Sequence, residues 1–196
     1  MFKFLDYNFT PETSTAFFRY EDQSGVIFTE KVVFSSENRV SFDPLVLDRA
    51  LFLAFIVLGT SYYKANPTRS VSLKTPLDAS GAAFFNSIYQ EGLSQFAFEN
   101  GLTRENLASF PVSEAAEKPL LNDPAPENPS RLVLLSGGKD SLLTAEKLSR
   151  ENLPFRSVFI SNNGDNYPEI VASFGAPLVI KRFLDRESLL KTAHFN

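Results

Sequence analysis

The stretch 131–150 reads RLVLLSGGKDSLLTAEKLSR and contains the most informative part of the chain. An apolar run at 132–135 predicts a strand, and residues 142–150 predict a helix after a glycine-rich turn. This order suits a phosphate site, because adjacent glycines bring bare N–H groups close to an anion and the helix adds the positive end of its dipole. The six residues of the turn are Ser136, Gly137, Gly138, Lys139, Asp140 and Ser141.

The side chains of this loop also suit a nucleotide. Ser136 and Ser141 can donate hydroxyl hydrogen bonds to phosphate oxygens, and Lys139 adds a positive charge. Asp140 can face a magnesium ion, which makes it the candidate metal ligand, or it can cap the helix. The spacing matches neither the Walker A loop nor G-x-G-x-x-G. The six residues resemble the SGGxDS signature of the PP-loop ATP pyrophosphatases, which implies ATP and magnesium here. The alternative is a tight turn whose glycines serve geometry alone, with Asp140 as a plain N-cap.

The order of predicted elements indicates an α/β fold in two parts. We predict a small α+β amino-terminal domain over residues 1–102, a proline-rich linker over 103–130 and the start of a parallel-sheet nucleotide-binding domain over 131–196, because strands and helices alternate there. Asn162 follows the second predicted parallel strand. Its loop is a candidate to hold adenine or ribose, and it equally fits an ordinary polar turn. Three parallel strands leave open sheet edges, so we expect a fragment of a longer enzyme.

Two apolar stretches of the amino-terminal part predict helices. Residues 50–59 form the most apolar run, which is shorter than the ~20 residues of a membrane span. We therefore expect a buried helix from 44 to 58. A second helix over 80–100 has a stripe at helical spacing that we interpret as core: Phe85, Ile88, Tyr89, Leu93, Phe96 and Ala97.

The composition excludes several classes of site. The chain has 196 residues and no cysteine, so disulfides, thiolate metal sites and cysteine nucleophiles are excluded. Its one histidine, His194, lies near the carboxyl end, which is a poor place to orient a general base. The net charge of −4 does not favour nucleic acid. We expect a cytoplasmic protein with no nucleic-acid or membrane partner, and the oligomeric state stays open.

Three segments, in this order, resemble the ATP-dependent UDP-N-acetylmuramoyl-L-alanyl-L-glutamate epimerases, a PP-loop ATP pyrophosphatase type of enzyme. The first is LGTSYYKA at 58–65, the second is YQEGLSQFAFENGL at 89–102, and the third is the loop at 136–141. The resemblance extends over about residues 45–195. That family continues well beyond residue 196, so the chain is similar to its amino-terminal portion.

The resemblance implies a PP-loop, adenine nucleotide α-hydrolase-like fold and a role in peptidoglycan precursor synthesis, hence in cell wall biogenesis and cell shape. The implied reaction converts the terminal L-glutamate of a UDP-linked muramoyl dipeptide to D-glutamate through an acyl-adenylate, releasing AMP and pyrophosphate. Tyr62, Tyr63 and Lys64 are the implied catalytic candidates; the alternative is tyrosines packed in the core and a solvated lysine. The catalytic base and acid stay unassigned. Other interpretations are a different PP-loop adenylating enzyme, amide-forming or tRNA-modifying, or an inactive truncated chain.

Overall fold

The computed structural model describes residues 1–34, 43–114, 116, 131–162 and 166–192. The strands within these ranges are β1 (Phe2–Thr10), β2 (Thr15–Glu21), β3 (Ile27–Phe34), β4 (Val71–Ser72), β5 (Arg131–Leu134), β6 (Phe155–Ser161) and β7 (Leu178–Phe183). The helices are α1 (Pro44–Leu58), α2 (Thr60–Tyr63), α3 (Ala79–Asn86), α4 (Ser94–Glu99), α5 (Lys139–Arg150), α6 (Glu169–Ala172) and α7 (Arg186–Thr192). The mixed α/β class is confirmed; the PP-loop assignment of the second part stays a prediction.

A single mixed sheet runs through both predicted parts of the chain, in the order β4-β1-β2-β3-β7-β6-β5. Strands β1, β2 and β3 are antiparallel neighbours, whereas β5, β6 and β7 are parallel. The two groups join where β3 pairs with β7 in antiparallel register, with Lys31 opposite Phe183. One of the open edges expected for the parallel strands is therefore closed by β3, and β5 forms an outer edge.

The predicted linker begins inside the main core. Leu107, Ala108 and Phe110 are buried there, and Ser109 forms an isolated bridge with Ser70. Residues 115 and 117–130, which hold most of the prolines of this segment, lie outside the described residues. The division into two domains and a linker stays a prediction.

The helices lie on different faces of the two halves of the sheet. In the antiparallel half, Phe4, Phe18 and Phe28 are buried in one core with residues of α1, α2 and α3. The opposite face of this half is open to solvent and carries the ion pairs Lys3–Glu21 and Arg19–Asp6, with Ile27 exposed opposite Glu21. One buried and one wetted face is the ordinary arrangement of an antiparallel sheet.

In the parallel half, α5 and α6 cover the other face. Leu135, Ala145 and Val171 form a second buried cluster there, with Phe159 packed against it. Ile160 pairs with Ile180, which packs on the first core. Successive side chains of a strand point to opposite faces, so Phe159 and Ile160 lie on opposite sides of the sheet.

Helix α1 has the predicted bounds. Asp43 is its N-cap and accepts a hydrogen bond from Leu45 N at 2.8 Å, while Pro44 occupies the first turn. Its inner side buries Leu51, Phe55 and Ile56, whereas Leu45, Val46 and Leu53 are exposed. The helix is therefore buried on one side only, and the expectation of a buried helix was wrong for its other side. By length and composition alone, the 20 residues from Pro44 to Tyr63 could cross a membrane, and no other helix in the described ranges could. A single stretch of this kind is weak evidence for a membrane, because core helices have the same composition.

The helix predicted over 80–100 is broken. A π-helical turn at Ser87–Glu91 follows α3, and α4 begins at Ser94. The expected core stripe is confirmed where Phe85, Tyr89 and Ala97 are buried. Tyr89 also donates a hydrogen bond to Ile56 O at 2.8 Å, which ties this segment to α1.

Candidate nucleotide-binding site

The 136–141 loop lies where the sequence predicts it, between the carboxyl end of β5 and the first turn of α5. Leu135 N donates to Val158 O at 2.8 Å, which extends the ladder to β6 by one residue, and the chain turns at Ser136. Gly137 has a φ of +86°, a conformation that L side chains rarely adopt. Ser141 Oγ donates to Gly138 O at 2.9 Å and lies 3.4 Å from Ser136 Oγ. The turn thus sets two hydroxyl groups side by side.

Gly138 differs from Gly137, because nothing in the fold requires a glycine there. Its φ of −77° and ψ of 160° are open to any residue. A Cβ built at this position would meet only Ser136 Oγ, at an ordinary distance of 3.6 Å. The bare backbone therefore leaves room above the loop that a side chain would fill.

The charged side chains of the loop are available to a ligand. Lys139 and Asp140 are exposed, and among the described residues neither side chain has a hydrogen bond or an ion pair. The N-cap of α5 is Gly138, with no side-chain cap, so the alternative interpretation of Asp140 as the N-cap is wrong. The described residues contain no group of three or more His, Asp or Glu placed to hold a metal ion. The metal role of Asp140 stays a prediction.

Asn162 lies at the same edge of the sheet as the loop. It is exposed and directly follows β6, the strand beside β5. Residues 163–165, the remainder of this polar turn, lie outside the described residues, as does His194. A contact from Asn162 to a nucleotide stays a prediction.

The structure separates the three catalytic candidates by burial. Tyr62 and Tyr63 are fully buried, whereas Lys64 is exposed. Tyr62 Oη accepts a hydrogen bond from Asp185 N at 3.1 Å, and Tyr63 Oη donates to Thr68 O at 3.1 Å. Burial raises the pKa of Tyr63 to about 12 and that of Tyr62 further. This matches the alternative interpretation, in which the tyrosines are core residues, and their catalytic role stays a prediction.

A buried ion pair beside Tyr62 was missed at the sequence level. Glu30 of β3 is fully buried, and Arg182 of β7 donates to both of its carboxylate oxygens. Arg182 Nη2 also donates to Ser61 Oγ at 2.9 Å. Glu30 alternates with Phe28 and Val32, so a carboxylate within the apolar face of a predicted strand was the available signal.

The family described as MurL N-terminal domain matches residues 1–194. The chain belongs to this family. Three similar curated proteins are each named UDP-N-acetyl-alpha-D-muramoyl-L-alanyl-L-glutamate epimerase. The one from Micromonospora sp. is 30% identical over 94% of this chain and 42% of its own length. The one from Salinispora tropica is 30% identical over 78% of this chain and 34% of its own length. The one from Xanthomonas oryzae pv. oryzae is 36% identical over 52% of this chain and 22% of its own length.

These matches show the family of the chain and how much of its relatives the chain covers. The chain spans less than half the length of the curated relatives that it matches. No solved structure matches the chain.

Proposed function

We propose that this chain provides the ATP-binding loop of an epimerase that converts the terminal L-glutamate of UDP-N-acetylmuramoyl-L-alanyl-L-glutamate to D-glutamate. Two observations support the proposal: the chain belongs to the MurL N-terminal domain family, and its relatives carry the name of this epimerase. The relatives are more than twice as long as this chain, so we assign to it the nucleotide-binding part of the reaction alone.

The ATP-binding part of the proposal rests on the open position at Gly138. A glycine that neither backbone conformation nor packing requires is explained if a phosphate group approaches the main chain there. The 12 residues of α5 direct its first N–H groups and the positive end of its dipole to the same place. Ser136 and Ser141 can donate to phosphate oxygens, while Lys139 neutralises charge and Asp140 can hold magnesium.

The chemistry explains why an epimerase of this kind would use ATP. The Cα–H beside a carboxylate is a very weak acid, because its removal places a second negative charge beside the first. ATP supplies an adenylyl group that converts the carboxylate to an acyl-adenylate, with release of pyrophosphate. A base can then remove the Cα proton, reprotonation on the other face inverts the centre, and hydrolysis releases AMP. In this reaction, the role of the 136–141 loop is to bind and orient the phosphates of ATP.

Two matched lysines of α5 test the loop. Lys139→Ala and Lys147→Ala remove the same charge from two exposed positions of α5, one in its first turn and one in its third. We expect Lys139→Ala to weaken ATP binding at least tenfold, measured by calorimetry with magnesium present, and Lys147→Ala to leave it unchanged. Equal affinity in both variants would contradict the loop assignment.

The reaction is tested in the full-length relative from Micromonospora sp., with valine at the position aligned with Gly138. Incubation with ATP and the UDP-linked dipeptide is followed by chiral analysis of glutamate. We expect the unchanged relative to form D-glutamate and AMP, and the variant to form neither. D-glutamate without AMP would refute the adenylate route.

A further inference from the structure

The parallel half of the sheet leaves an apolar strip in contact with solvent, formed by Leu132 and Leu134 of β5 and Ile160 of β6. Their exposed fractions are 68%, 57% and 45%. Leu134 pairs with Val158 in parallel register, and Ile160 is the next residue of β6 on the same face. This face is opposite to the one that α5 and α6 cover.

Three open apolar side chains in adjacent strands are unusual in this setting. Parallel strands are normally covered on both faces, whereas an antiparallel sheet tolerates one wetted face. The wetted face of β1–β3 follows this rule, because it carries the ion pairs of Lys3 and Arg19. The face of the parallel half that carries the strip has one charged residue in β5 and β6, Arg156, which pairs with Leu132. Leu132, Leu134 and Ile160 are exposed beside it, so the strip itself has the composition of a covered surface.

The strip also adjoins an open edge. β5 is the last strand of the sheet, so the backbone groups on its outer side have no neighbouring strand among the described residues. Exposed edges and apolar faces of this kind commonly bind another segment of polypeptide. The relatives contain such polypeptide, since 42% of the length of the Micromonospora relative is matched by this chain and the matched family is an amino-terminal domain.

We propose that the strip is the docking surface for a polypeptide equivalent to the part of the epimerase relatives that this chain does not match. That polypeptide covers Leu132, Leu134 and Ile160 and lies against the outer side of β5. Because the 136–141 loop begins at the end of the same strand, the docked polypeptide also lies beside the candidate nucleotide site. The proposal concerns assembly and does not depend on which reaction the complete protein performs.

Thiol labelling tests this directly, because the chain has no cysteine of its own. Leu134→Cys places a thiol in the strip. Leu143→Cys is the matched control, since Leu143 is 64% exposed on α5, which packs on the other face. We expect both thiols of the 196-residue chain to react rapidly with a maleimide, as their exposure requires.

The same two positions, taken by alignment, are then made cysteine in the full-length Micromonospora relative, and the labelled peptides are identified by mass spectrometry. We expect the position aligned with Leu134 to react at least tenfold more slowly than in the short chain, with the position aligned with Leu143 unchanged. Equal rates at the Leu134 position would overturn the proposal. Protection of Leu134→Cys in the short chain that grows with protein concentration would assign the strip to a second copy and would also overturn it.

Discussion

At the scale of single residues, Gly137 and Gly138 are neighbours in the chain, but each is a glycine for a different reason. Gly137 adopts a φ of +86°, so its identity is set by backbone conformation. Gly138 lies in extended geometry with free space around its Cα, so its identity is not set by the fold. Substitutions at the two positions therefore test separately the stability of the turn and its capacity to bind a ligand.

We expect Gly138→Val to leave the urea midpoint of unfolding nearly unchanged while ATP binding falls below detection. Gly137→Val should lower the free energy of unfolding by about 1–3 kcal/mol, because a β-branched residue is strained at positive φ. Chemical denaturation and calorimetry on the same samples measure both effects. If Gly138→Val destabilises as much as Gly137→Val, the glycine pair serves geometry alone.

Tyr63 makes the free energy of unfolding depend on pH in the alkaline range. Burial raises its pKa from 10.0 to about 12, so the folded state favours the protonated phenol. Its contribution of about 2–3 kcal/mol is complete below pH 10 and disappears as the pH rises towards 12. We expect the free energy of unfolding to fall over this range and to fall less steeply in Tyr63→Phe. An identical slope in the two proteins would show that Tyr63 ionises as easily in the folded state as in the unfolded chain.

The sequence was most informative where local patterns determine structure. The strand, glycine turn and helix around residues 136–141 were predicted because turn chemistry and capping act over a few residues. The packing of Tyr62 against Tyr20 and Phe28 could not be predicted, since it depends on how α2 meets the sheet. The pairing of Glu30 with Arg182 joins residues 152 positions apart, which no local pattern contains.

At the scale of elements, the break between the two helices requires a glycine at position 92. A Cβ on Gly92 would lie 2.5 Å from Ile88 O, a contact that backbone cannot relieve without shifting. The π-helical turn at Ser87–Glu91 ends against this glycine, and α4 begins two residues later. Apolar periodicity cannot reveal such a break, because the core stripe continues across it.

We expect Gly92→Ala to destabilise the protein by about 1–3 kcal/mol through this overlap, although alanine is the better helix former. Gly138→Ala is the matched control for stability, because a Cβ there meets no close neighbour. Thermal unfolding followed by circular dichroism compares the two. A Gly92→Ala protein as stable as Gly138→Ala would show that the turn can relax to an α-helix.

At the scale of the whole molecule, the Glu30–Arg182 pair fastens the two halves of the sheet together. Arg182→Met leaves a carboxylate buried without its partner, so we expect a loss of about 3–5 kcal/mol. The double variant Glu30→Leu, Arg182→Met should be clearly more stable than Arg182→Met alone, since no unpaired charge remains. Urea unfolding of the three proteins measures the difference. If the double variant is the least stable, packing rather than charge holds this junction.

The antiparallel pairing of β3 with β7 also has a consequence for biosynthesis. Glu30 and Arg182 are 152 residues apart, so a ribosome adding 5–20 residues per second makes them roughly 8–30 seconds apart. During that interval the antiparallel strands β1, β2 and β3 emerge, and the outer backbone groups of β3 are open to any extended peptide nearby. The nascent protein is therefore exposed to mispairing and to chaperone capture throughout this interval, until the strand that closes this edge leaves the exit tunnel.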